Sequence, residues 1–121
     1  MDDGYELLAQ LHRALGHPVR LHILDILSRQ EACVCHLTTI LGLRQPIVSQ
    51  QLAALRHAGL VIDRRERNLI YYRLRDERLA AIIAVGRSML PADGSTEAAV
   101  FQSTPEGAVP GCPCPRCQSR L

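Results

Sequence analysis

The stretch "CVCHLTTILGLRQPIVSQQLAALRHAGLV", residues 33–61, decides how this chain folds. Val34, Leu37 and Leu41 recur at helical spacing, and Gly42 ends that run. Gly42-Leu43-Arg44 leaves a three-residue break. A second stripe, Val48, Leu52 and Leu55, follows with Pro46 in its first turn. It stops at Gly59, where a C-terminal glycine cap belongs. Two short helices joined by a tight glycine-containing turn make a helix-turn-helix.

Downstream, "LVIDRRERNLIYYRL" alternates and is rich in β-branched and aromatic residues around a polar centre. It predicts a two-stranded hairpin, about 60–64 and 69–74, turning near 66–68. Upstream, Leu7, Leu8, Leu11 and Leu15 mark a helix over 5–15, which Gly16 stops. Pro18 opens another helix whose apolar face is Val19, Ile23, Leu24 and Leu27. A last helix, about Asp76 to Leu90, carries Leu79, Ile82, Ile83, Gly86 and Leu90 on one face, and Pro91 ends it. The fold class expected is mainly α: a winged helix-turn-helix with a two-stranded wing, the apolar face of the last helix packing on the first helix or on the same helix of a second subunit. Residues 1–90 form that DNA-binding domain. Residues 91–121, rich in Pro, Gly, Ser and Ala, read as a flexible cysteine-containing tail.

Composition agrees with a small helical domain. The 121 residues are 47% hydrophobic, with no tryptophan and one phenylalanine, so Leu, Ile, Val and Ala must build the core. No apolar run approaches the ~18 residues that span a bilayer. "MDDGYELL" lacks a signal-peptide pattern. The expectation is a cytoplasmic protein with reduced thiols and no membrane partner.

The net charge of +2 says little about partners, but its distribution does. All 14 basic residues are arginine. Seven lie between Arg44 and Arg75 against two acids, a local excess of five. Arg64, Arg65 and Arg67 cluster at the hairpin, as a phosphate-binding surface requires. In a helix-turn-helix the second helix enters the major groove and its early residues meet base edges. Here those are Gln45, Ser49 and Gln50: Gln pairs bidentately with adenine, and Ser donates or accepts. The partner expected is a double-stranded DNA operator.

All five cysteines fall in two groups, Cys33 and Cys35, and "CPCPRC" with Cys112, Cys114 and Cys117. Reduced thiols clustered this way more often bind metal or do redox chemistry than form structural disulfides. On a regular helix two residues apart is ~200° of rotation, so Cys33 and Cys35 would diverge on either side of Val34. They could share an ion only if the first turn were unwound, which would distort the helix-turn-helix. The helix N-terminus favours thiolate over thiol. The plainer reading, two small buried residues, explains one cysteine better than two. The 21 residues between Leu90 and Cys112 could reach about 70 Å, so a tail cysteine could complete the site from its own or a partner subunit. Thiolate-rich sites suit As(III), Cd(II), Pb(II) or Zn(II); three sulfurs fit a pyramidal ion and four a tetrahedral one.

"ALGHPVRLHILDIL", "CVCHLTTILGLRQPIVSQQLAALRHAGLV" and "DRRERNLIYYRL" together resemble the ArsR/SmtB family of winged-helix metalloregulators over about residues 5–90. The resemblance implies a homodimer, dimeric through the first and last helices so that residues 1–90 are both DNA-binding and dimerisation domain, that represses a resistance operon and leaves DNA when metal binds. It also implies ligands at Cys33 and Cys35, since arsenic- and cadmium/lead-responsive members carry "CVCDL" here. This chain departs from the pattern at three places. His36 replaces the aspartate, Thr38 stands where the arsenic-type pattern has a third cysteine, and Arg44 stands where relatives often carry a small polar residue. The last helix has no histidine, so the family's Asp/His zinc-type site is not expected.

The leading expectation is a DNA-binding repressor, not an enzyme, released by a soft metal or metalloid, with no organic substrate. The nearest rival is a thiol-redox repressor on the same fold. A thiol oxidoreductase or metal-delivery protein lacks a C-x-x-C beside a βαβ pattern, a phosphate loop and an acid–base pair.

Overall fold

A computed structural model describes residues 3–91 and Cys112. Its elements run α1 Asp3–Leu15, α2 Pro18–Leu27, β1 Ala32–Cys33, α3 Val34–Leu41, α4 Gln45–His57, β2 Val61–Glu66, β3 Leu69–Leu74 and α5 Arg78–Ser88.

Each helix has local reasons for its ends. Acids in the first turn of α1 and bases in its last turn match the helix dipole. In α2, Pro18 is at the start and the His17 ring accepts from the Val19 N–H at 3.2 Å. Gly42 takes φ 65° and its N–H bonds the Thr38 carbonyl, closing α3. After α4, Gly59 takes φ 77°, with Gly59 N–H to Arg56 O at 3.0 Å and Leu60 N–H to Leu55 O at 2.9 Å. This paired closure satisfies carbonyls the helix would otherwise leave open. At α5, Asp76 accepts the Arg78 N–H at 2.9 Å and also pairs its guanidinium, which holds the Asp76 pKa down to about 2.

The core gathers Leu15, Ile23, Leu24, Ile26, Leu27, Leu37, Val48, Leu52, Leu55, Val61 and Leu79. Val48, Leu52 and Leu55 are the inner face of α4. At about 1.5–3 kcal/mol per buried side chain, they anchor that helix and leave its other side free. Asp25, buried on α2, bonds Arg87 of α5 at 3.0 Å and ties the two helices together. Of the first helix's expected stripe, Leu11 and Leu15 meet the core, whereas Leu7 and Leu8 are exposed.

The sheet has three strands, in the order β1-β3-β2, where the sequence predicts two. Ala32 pairs with Tyr72 and Cys33 with Tyr71. A two-residue strand has no period to read, so pairing alone reveals it. The wing is also tighter than expected: strands continue to Glu66↔Leu69, and Arg67, at φ 58°, turns the chain with Asn68. One side of the sheet, with Ala32, Val61, Tyr72 and Leu74, closes on the core. The other carries Cys33, Tyr71 and Leu69, against which Cys112 is packed.

Candidate functional site

Cys33 belongs to the sheet rather than to the helix. Its backbone is extended, φ −86° and ψ 169°, and it caps α3 with its sulfur accepting the His36 N–H at 3.4 Å. Cys35 lies in the first turn of α3. This corrects the expectation that the two thiols diverge. That expectation assumed helix at both positions, whereas the strand-to-helix corner turns the two sulfurs to within 2.7 Å of each other. No unwinding of α3 is needed to bring them together.

Cys112 completes the group. Its sulfur is 3.8 Å from that of Cys35, and all three sulfurs lie within 4.8 Å of one another. Ligands 2.3 Å from a tetrahedral ion stand about 3.8 Å apart. Cys35 and Cys112 already have that spacing, and Cys33 and Cys35 would part by about 1 Å to share a thiophilic ion, which the softness of the three sulfurs suits. Cys33 and Cys112 are buried and Cys35 half-buried. Cys114 and Cys117 lie outside the described residues.

The neighbours of the thiols are otherwise engaged. His36 is buried, with its Nε2 2.9 Å from Gln30 Nε2, and it is not part of the sulfur group. Thr38 and Thr39 donate their hydroxyls to the Cys35 carbonyl at 2.9 and 2.8 Å. Thr38 therefore braces the first turn of α3.

Gln45 and Gln50 are exposed on α4 and Ser49 is half-buried, all away from the buried stripe. Arg65 and Arg67 are exposed on the wing. Arg64, read from sequence as their companion, is placed differently. Strand alternation puts it on the opposite side of the hairpin from Arg65. Its guanidinium forks onto Glu31, with Nε to Oε2 at 2.8 Å, and lies 5.0 Å from the centre of the Tyr71 ring. The bond to Glu31 raises the Arg64 pKa. Glu31 and Tyr71 escape the sequence reading because their roles depend on the β1 pairing.

A half-buried helix-turn-helix with an exposed second helix and an arginine-bearing wing defines a DNA-binding transcriptional regulator. Residues 17–63 match the family described as bacterial regulatory protein, arsR family. An HTH-type transcriptional regulator of Mycobacterium tuberculosis is 35% identical over 104 residues, spanning 85% of this chain and 91% of that protein. The arsenical resistance operon repressor of Escherichia coli is 44% identical over 72 residues, 59% of this chain and 62% of that one. Reduced HlyU from Vibrio cholerae has a TM-score of 0.66 at 32% identity, covering 74% of this chain and 95% of its own. The chain belongs to the ArsR family of DNA-binding transcriptional repressors, which are regulators and not enzymes. No helix among the described residues is long and apolar enough to cross a membrane.

Proposed function

We propose that this repressor is released from its operator when a soft, thiophilic ion is gathered by Cys33, Cys35 and Cys112. The observation that carries the reading is the three-sulfur group within 4.8 Å at the start of the helix-turn-helix. With His36 turned to Gln30, three sulfurs and no nitrogen converge among the described residues, a set that suits pyramidal As(III) or Pb(II) above tetrahedral Cd(II) or Zn(II). Similarity to an arsenical resistance operon repressor supports it.

Release requires that the ion bind the DNA-free state more tightly, a coupling that is typically about 5–150-fold. The reading takes Gln45, Ser49 and Gln50 to the major groove and Arg65 and Arg67 to phosphates. Residues 1–90 serve as the DNA-binding and dimerising unit, and 91–121 as the tail that supplies Cys112. A homodimer is supported by apolar side chains left exposed on α1 and α5, among them Tyr5, Leu7, Val85 and Met89. A groove of about 680 Å³, lined by Leu21, Ile82, Ile83 and Leu90, lies beside them.

A second reading is favoured by the sulfur contacts, 2.7 Å between Cys33 and Cys35 and 3.8 Å between Cys35 and Cys112, and by the likeness to reduced HlyU: oxidation of Cys33, Cys35 or a tail cysteine to a disulfide, rather than an ion, is then the signal. One titration separates the two. The protein is bound to a duplex selected from a random pool and challenged with arsenite, Pb(II), Cd(II) or a disulfide oxidant. Release by the ions and its loss in Cys35→Ser are expected. Retained binding at saturating ion, with release by oxidant alone, would transfer the function to the second reading.

A further inference from the structure

Between the thiols and the wing runs one row of side chains. Cys33 pairs with Tyr71, and Tyr71 pairs with Arg64, so all three project from the same side of the sheet. Tyr71 is buried, packed with Cys33 and Cys112. The Arg64 guanidinium lies over its ring and reaches past β3 to Glu31, two residues before Cys33. Glu66 adds a longer contact to Arg64, at 3.6 Å.

We propose that Glu31, Arg64 and Tyr71 form a latch that fastens the wing to the segment before α3 and carries the state of the thiol site to the DNA-binding surface. The inference rests on the repressor reading for its ligand and on the sheet register for its route. A two-residue β1 adds few ladder bonds, so the fork from Arg64 to Glu31 is a main tie across the three strands. A bidentate, stacked arginine is also a directional contact, which a shifted ring or carboxylate breaks. Cys33 and Cys112 both pack on Tyr71. An ion that pulls their sulfurs together acts on both and displaces the ring on which Arg64 rests. The wing then loses its fixed angle to α3 and α4, and Arg65 and Arg67 move with it. Arg64 and Glu31 are thus positioning residues for release rather than DNA contacts.

The alternative role for Arg64, a phosphate contact restrained by Glu31, predicts different behaviour. The test uses the full chain, a duplex selected from a random pool, and arsenite as the probe, with Arg64→Ala, Arg64→Lys and Glu31→Gln. A latch predicts that all three weaken DNA binding by a similar factor even without arsenite, because each frees the wing that the ion would free, and full affinity in all three overturns it. The factor by which arsenite weakens binding falls about tenfold in each, out of a typical range of about 5–150. The double variant Arg64→Ala with Glu31→Gln falls no further. If Arg64→Ala loses DNA affinity, Arg64→Lys keeps it and Glu31→Gln gains it, Arg64 is a phosphate contact and the latch is overturned. A second readout needs no ion: the rate at which iodoacetamide labels buried Cys33, followed by mass spectrometry. Arg64→Ala and Glu31→Gln should both speed it severalfold, and an unchanged rate overturns the latch. A wild type insensitive to arsenite, but with faster labelling in the variants, refutes the ion and upholds the latch.

Discussion

Replacing Cys112 by serine tests the three-sulfur site most directly. A sulfur confined within 4.8 Å of its partners occupies about 460 Å³, an effective concentration of about 4 M. Without it, the third ligand must come from buffer thiol at about 1 mM, a loss of about 4,000-fold. At arsenite 100 times the wild-type Kd, wild type gains about 2.7 kcal/mol of stability, whereas the variant gains less than about 0.1 kcal/mol. The difference, about 2.7 kcal/mol, is upwards of roughly 10 °C in Tm for a domain of this size. Thermal denaturation with and without arsenite reads it, and because each protein is its own reference, any effect of serine on the ion-free fold cancels. A wild-type Tm rise in Cys112→Ser would refute the reasoning: the third donor would then not be Cys112.

On the DNA side, Gln50→Ala should lower discrimination at one base position by about 1–3 kcal/mol, read by competition between duplexes differing there. Arg65→Ala should instead weaken all duplexes alike and reduce the salt slope of binding by about one. Gly59→Ala should destabilise the protein by about 1–2 kcal/mol in denaturant titration: nothing lies within 4 Å of the added methyl, so the cost is that of φ 77° alone. Asp76→Asn should lower Tm at neutral pH. The carboxyl pKa falls from 3.8 in the free group to about 2 in the fold, so its contribution is complete above about 4 and disappears as pH drops through 2. The Tm gap between the two proteins should narrow over that window.

The helix-turn-helix was legible because its signals are local. Val48, Leu52 and Leu55 carry the 3.6-residue period, and Gly42 and Gly59 stand where only a left-handed backbone closes the helices. The wing was legible for the same reason, although alternation alone could not reveal that Arg64 leaves its neighbours for Glu31.

The geometry of the thiols was not local. Read along the chain, Cys33 and Cys35 belong to one helix and point apart. Only the pairing of Cys33 with Tyr71, across 38 residues of sequence, makes Cys33 a strand residue and folds its sulfur back over α3. Sequence could say that a tail cysteine was able to arrive, since chain length sets reach, but not that Cys112 would be the one buried against Tyr71. Periodicity and caps determined the elements and the exposed face of α4. Tertiary pairing, which joins residues with no shared period, decided where the sulfurs meet and which arginine is tied to them.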